Sequence, residues 1–379
     1  MIPLSVPNIA GNEWLYIKEC LDTNWVSSLG KYVTLFEERL AEYTGAKHVI
    51  ALSNGTSALH LALLACGLQE NQEVLVPTLT FISPVNAIRY CRAWPVFMDC
   101  DDSYCLSVEK VTRFLELECR MENGMIVNKK SGRTIWGIVP VHVFGNPVEM
   151  DLLADLAQAY KLQIVEDAAE SLGSFFKGQH TGTFGNCGCL SFNGNKIITT
   201  GGGGAVLCKD GDIADRIRYL STQAKDDPLR FVHGDIGYNY RLTSIQAAMG
   251  VAQLEKLPEF IESKRRNFKS YQQALSNING LSLYEAPTAS DANFWFYCLQ
   301  LDPLLYHRSR DELMEALAAK DIQTRPVWYP NHLQKMYKGC QAFEIENAVR
   351  LWEQTVNIPC STNLSESEIA QVITALREA

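Results

Sequence analysis

Short, largely apolar runs alternate with segments of helical length through the first half of this sequence. No other feature constrains the fold as much. Residues 49–52, 73–77, 95–99, 135–141, 163–166 and 189–192 read as strands, and residues 12–23, 31–44, 58–66 and 84–90 read as helices. Strands without polar alternation are buried on both faces, which requires helices on each side of the sheet. The pattern predicts an α/β fold with a largely parallel central sheet. Near residue 245 it changes. Residues 244–255 and 258–275 read as two long helices, 294–301 as a strand, 310–320 as a helix and 365–377 as the closing helix. A large α/β domain over residues 1–245 and a smaller C-terminal α+β domain over 246–379 are expected.

The chain has 379 residues, too many for one small core, and its 47% apolar and 20% charged content is that of a globular protein. A net charge of −9 without a basic, aromatic-interleaved stretch argues against nucleic-acid binding. The 12 cysteines are scattered, with no CxxC pair and no Cys/His cluster at zinc spacing, so no metal site is expected and a reducing compartment suits them. The N-terminus lacks the charged start and apolar run of a signal peptide, and no apolar stretch reaches about 18 residues. No membrane association and a cytoplasmic location are therefore expected.

Chemistry concentrates around Lys196. The segment Cys189-Leu190-Ser191-Phe192-Asn193-Gly194-Asn195-Lys196 leads through Ile197-Ile198-Thr199-Thr200 into four glycines, Gly201 to Gly204. Upstream, the apolar run ending at Glu166 is followed by Asp167-Ala168-Ala169-Glu170. A lysine in a glycine-rich turn and an acidic residue at another strand end are what a pyridoxal phosphate (PLP) enzyme needs. The lysine forms a Schiff base with the cofactor, and the carboxylate pairs with the pyridinium nitrogen so that the ring can accept electrons. Each has a plainer reading, as a solvated turn lysine and a helix cap. The glycines do not make a P-loop, because no Gly-Lys-Ser/Thr follows them.

Two further segments fit the same chemistry. Ser53-Asn54-Gly55-Thr56-Ser57-Ala58-Leu59 passes from strand to helix through a glycine, and free N–H groups plus hydroxyls at a helix start form a phosphate cup. Phe81, in Pro77-Thr78-Leu79-Thr80-Phe81, follows a strand end, where it could lie against an aromatic ring.

With these segments, Asn24-Trp25-Val26-Ser27-Ser28 and Gly237-Tyr238-Asn239-Tyr240-Arg241-Leu242 in the same order, the chain resembles the nucleotide-sugar aminotransferases among fold type I PLP enzymes over nearly its whole length. The resemblance implies that Lys196 is the Schiff-base lysine and proton shuttle and that Asp167 pairs with the pyridine nitrogen. It further implies that Thr56, Ser57 and Ser191 bind the phosphate and that Phe81 stacks on the ring. It implies a homodimer with shared active sites, Asn239 reaching the phosphate bound by the neighbouring subunit. Glu170 departs from the pattern: many members carry Gln or His there, near the cofactor's phenolic oxygen, and a carboxylate is unfavourable unless protonated or turned away.

The wording of residues 7–8, 12–14, 25–28 and 192–203 looks most like the subgroup that aminates UDP-linked 4-keto-6-deoxy-N-acetylhexosamines, as in the bacillosamine and legionaminic acid pathways of bacterial surface glycans. GDP-perosamine synthases are the alternative. L-Glutamate is the donor the resemblance implies. Related dehydratases carry His in place of the lysine, so Lys196 argues for transamination. Trp25, Ser27, Tyr329 and His332 are the candidates for the sugar pocket, the last two from the proline-flanked loop 325–332. A PLP-binding regulator of the same fold would need a DNA-binding domain for which no residues are left. A nicotinamide dehydrogenase would need a G-x-G-x-x-G after the first strand, which is missing.

Overall fold

The computed structural model describes residues 1–287 and 289–379. Its centre is an eight-stranded sheet in the order His48–Leu52, Gly204–Cys208, Cys187–Ser191, Gln163–Asp167, Ile135–Ile138, Glu73–Pro77, Trp94–Met98 and Ala342–Phe343. Gly204–Cys208 runs antiparallel to both of its neighbours, and the remaining pairs are parallel. Alternate residues of the same strand enter different cores. Val49 and Ala51 join the cluster on one face, and Ile50 and Leu52 the cluster on the other. That two-sided burial is why these strands read as unbroken apolar runs.

The helix Gly55–Ala65 covers one face through Ala58, Leu59, Leu61 and Ala62. The cluster on the other face takes in the helix Ser244–Leu275, which is one continuous element of 32 residues, not the two expected. A capping box of Thr243 and Gln246 starts it. Pro258 lies within it on the solvent side, while Leu254, Leu257, Phe260 and Ile261 are all buried. An interior proline costs a helix roughly 3 kcal/mol, and the apolar packing on both sides of Pro258 outweighs that. The boundary expected at residues 245/246 falls on the first turn of this helix. Its early part meets the N-terminal helix, where Ser244 O accepts from Cys20 Sγ. Its later part meets the C-terminal region, where Ser263 Oγ donates to Thr362 O.

The C-terminal region holds a four-stranded antiparallel sheet in the order Leu281–Leu283, Tyr297–Leu301, Thr355–Ile358, Arg325–Pro326. The expected strand at 294–301 starts three residues later, because Phe294 takes a left-handed conformation (φ +52°) that no strand accommodates. The first residues of the chain join this region: Ile2 N–H donates to Asp321 O, and Cys360 N–H to Leu4 O. Among the described residues no helix is long and apolar enough to cross a membrane.

Candidate active site

Four parallel strands direct their C-terminal ends to one place. Beyond Leu52 comes the helix start at Gly55, beyond Pro77 comes Phe81, beyond Gln163–Asp167 comes Glu170, and beyond Ser191 comes Lys196. Ligands gather at such strand ends in open α/β sheets. Gly55 is needed because a Cβ there would lie 2.9 Å from Ser191 Cβ, so only glycine lets the helix start abut the strand end. The lysine turn is tied to itself: Lys196 N–H donates to Asn193 O, Thr200 N–H to Phe192 O and Gly201 N–H to Thr199 Oγ1. Gly203, at φ +129°, turns the chain back into Gly204–Cys208, and a Cβ there would collide with Thr200 Oγ1.

These ends enclose a cavity of about 190 Å³ whose wall includes Thr56, Phe81, Asp167, Glu170, Ser191 and Lys196. Lys196 Nζ lies 3.8 Å from Glu170 Oε1 and 4.0 Å from the centre of the Trp295 indole. Burial lowers the pKa of the lysine, while Glu170 and Asp167 pull it back up. Asp167 is buried, which raises its pKa, and Ala169 N–H donates to its Oδ1 at 3.0 Å. Glu170 is 5% exposed, and burial pushes its carboxyl up to about 7. Thr56 Oγ1 is 3.0 Å from Ser83 Oγ, so a second hydroxyl joins the helix start.

Six residues singled out from the sequence stand away from this wall. Ser57 is buried with its hydroxyl against Ser53 Oγ (3.0 Å) and Asn54 O (3.2 Å); the helix cap is Asn54, whose side chain accepts from Ser57 N–H. Asn239, Trp25 and Ser27 are exposed, Ser27 O accepting from Ser244 N–H. His332 is held by Thr78, whose Oγ1 lies 2.7 Å from its Nδ1. Tyr329 turns its ring edge-on to Trp352. The loop contributes Trp328 to the wall instead. Neighbouring side chains of the loop take different sides, Trp328 on the cavity and Tyr329 against Trp352.

Trp295 and Trp328 are wall residues that the sequence reading passed over. Trp295 Nε1 donates to Asn195 O at 2.7 Å, tying the C-terminal region to the lysine turn. Lys264, buried on the long helix, holds the same segment by donating to Trp295 O and Cys360 O. Behind the wall, the buried Glu166 accepts N–H bonds from Gly182, Phe184 and Gly185 and one from His142 Nε2. Val148 N–H donates to His142 Nδ1, which puts the imidazole proton on Nε2. This hub fixes the strand end that carries Asp167.

The donor set suits PLP. An amine and a carboxylate share one wall with hydroxyls at a helix N-terminus and the aromatic ring of Phe81. A polar atom of a wall residue, Asn195 Oδ1, has no hydrogen-bond partner among the described residues. An α/β sheet with these groups at its strand ends is that of a fold type I PLP-dependent aminotransferase. The chain belongs to the DegT/DnrJ/EryC1/StrS aminotransferase family, whose model matches residues 7–377. It is 39% identical over 379 residues to a GDP-perosamine synthase of Escherichia coli O157:H7, covering 100% of this chain and 98% of that one. It is 36% identical over 376 residues to a GDP-perosamine synthase of Caulobacter vibrioides, covering 99% and 97%. A solved family member from Brucella abortus superimposes with a TM-score of 0.87 at 29% identity, covering 97% of this chain and 95% of that one.

Proposed function

We propose that this aminotransferase moves an amino group from L-glutamate to C4 of a GDP-linked 4-keto-6-deoxy hexose, in the cytoplasmic phase of surface-glycan biosynthesis. The observation that carries the reading is end-to-end similarity to GDP-perosamine synthases, at 36% and 39% identity, in a chain whose lysine faces the cavity. The UDP-linked N-acetylhexosamine expected from the motif wording is the second reading, favoured by residues 25–28 and 192–203.

When bound, PLP supplies the electron sink that lets a C–H bond next to nitrogen ionise. The chain's own residues do the rest. Lys196 Nζ takes and returns the proton, as a positioned acid/base. Asp167 holds a proton on the ring nitrogen, the charge that makes the sink effective. Thr56 and Ser191 bind the phosphate together with the free N–H groups of the helix Gly55–Ala65, and Ser57 supports that turn from behind. Phe81 stacks on the ring, and Glu170 completes the pocket.

The protein works as a homodimer in this reading. Asn239 points outward to serve the neighbour's phosphate, and the exposed Leu229, Phe231 and Ile236 beside it are apolar surface for a second copy to cover. Trp25, Ser27, Tyr329 and His332, all off the cavity wall, are assigned to the sugar nucleotide, which extends outward from the reacting carbon. The test is a panel of GDP-, UDP- and dTDP-linked 4-keto-6-deoxy sugars with PLP and L-glutamate, read by mass spectrometry. Amination of the GDP-linked substrate in preference to the others is expected. Preference for the UDP-linked N-acetylhexosamine would replace the first reading with the second, and no amination of any would refute both.

A further inference from the structure

We propose that Glu170 is the proton store of Lys196: the two share one proton, which Glu170 Oε1 takes when the amine must act as a base and returns when it must act as an acid. The inference rests on Lys196 being the proton-moving lysine, and it goes further by giving that lysine a catalytic partner. The exchange is balanced. An ammonium facing a carboxylate becomes an amine facing a carboxylic acid, one N–H bond breaking as one O–H bond forms, with no change of net charge.

The geometry separates the two oxygens of Glu170. Oε2 is pinned by Phe144 N–H at 2.7 Å. Phe144 holds a left-handed conformation at φ +58°, unusual for an aromatic residue, and that conformation aims its N–H at the carboxyl. The backbone of Glu170 is fixed as well, its carbonyl accepting from Asn293 Nδ2 at 3.0 Å. Oε1 is left as the oxygen 3.8 Å from Lys196 Nζ. The ammonium is steadied on its other side by the Trp295 ring. A gap of 3.8 Å is longer than a hydrogen bond, as catalytic contacts often are before substrate binds, and a small rotation about the lysine side chain closes it.

The surroundings suit a carboxyl that titrates near neutrality. Asp167, on the adjoining strand end, faces Glu170 and raises its affinity for a proton, after the larger effect of burial. Lys196, from the glycine-rich turn, lowers that affinity. The thiols of Cys105 and Cys298 are near enough to feel its charge, and burial pushes both far up, so they stay neutral. Trp328 and Phe144 carry no charge, but the indole of the first and the backbone N–H of the second favour the carboxylate and also lower its affinity for a proton. Lys196 is thus the one cation that faces Glu170 among the described residues.

The test compares wild type, Glu170→Gln and Glu170→Asp, all with PLP bound. Two readouts are followed in each: the single-turnover conversion of the cofactor spectrum by L-glutamate, from pH 5.5 to 9, and the pH titration of the resting cofactor band without substrate. Wild type should show a limb in both, with a midpoint moved from the value of about 7 that the carboxyl has beside the free lysine, because Lys196 Nζ is bound to the cofactor in the resting protein. Glu170→Gln keeps the size and the Phe144 contact but cannot exchange a proton. It should lose that limb from the resting titration and slow conversion roughly tenfold or more. Glu170→Asp should restore the limb with a displaced midpoint. It also decides the matter if the Gln variant does not fold. A Gln variant with wild-type rate and both limbs would overturn the proposal, as would an Asp variant without the limb. Failure of the underlying reading is separate: wild-type protein would then show no glutamate-driven spectral change.

Discussion

Glu166→Gln tests how the strand end carrying Asp167 is held. The carboxylate accepts four hydrogen bonds while fully buried: Phe184 and Gly185 N–H on Oε1, Gly182 N–H and His142 Nε2–H on Oε2. An amide of the same shape offers one oxygen and one NH₂. Whichever way it turns, two of the four donors face another donor. His142 cannot relieve this by changing tautomer, because Nδ1 is already accepting from Val148 N–H. A buried donor left unpaired costs about 1–3 kcal/mol. Two of them, less the relief of no longer burying a charge, give a net loss of about 3 kcal/mol.

For a chain of this size that corresponds to a fall in Tm of about 4 °C, measured by calorimetry at one scan rate for both proteins. The pH dependence has a definite sign. Burial alone would raise the Glu166 pKa, but the bonds from His142, Gly185 and Gly182 outweigh it and hold the carboxyl below its usual 4.5. A carboxyl depressed in the folded state adds stability above its unfolded pKa and loses it as pH falls through the folded value. The gap between wild type and variant should be full at pH 7 and narrow below pH 4.5. An unchanged Tm at pH 7, or a gap that widens on acidification, would refute the hub.

Glu170 makes the opposite pH prediction. Its carboxyl is pushed up to about 7 from the usual 4.5, so the folded cofactor-free protein keeps a proton that the unfolded chain has released. Stability should therefore fall as pH rises between those values, by up to about 3 kcal/mol, and denaturant titrations should find the slope missing in Glu170→Gln. Asp167→Asn should retain the cofactor but lose most of the single-turnover rate with glutamate, since an amide cannot hold the pyridinium proton; near-normal rates would reduce Asp167 to a cap. Asn239→Ala should loosen cofactor retention. Mixed with Lys196→Ala, it should recover activity, because one site of the heterodimer carries both lesions and the other neither. No recovery after confirmed subunit exchange would exclude shared sites.

Whatever rests on local chemistry was legible in the sequence. Lys196, Asp167, Ser191, Thr56 and Phe81 follow directly from strand ends, and their neighbours announce them as glycines, hydroxyls and apolar runs. The strand 73–77 was readable to the residue for the same reason: every position is buried, so nothing interrupts the pattern. Trp295 and Trp328 carried no such signal. They come from the C-terminal region and reach the cavity only through tertiary packing, Trp295 being held by Lys264 and Asn293. In the loop 325–332 the polar and aromatic content was visible, but which side chain faces inward depends on the path of the backbone and the packing around it. Pro258 misled because helix propensity is local, whereas the long helix is held by burial on both sides of it.

The central claim is that Lys196 is the residue that engages PLP. Purified protein loaded with the cofactor is reduced with borohydride, digested and mapped by mass spectrometry. The account predicts a pyridoxyl group on the peptide containing Lys196, with the visible band lost on reduction and no label in Lys196→Ala. Label on another lysine, such as the buried Lys264, or a Lys196→Ala protein that still fixes the cofactor, would contradict it.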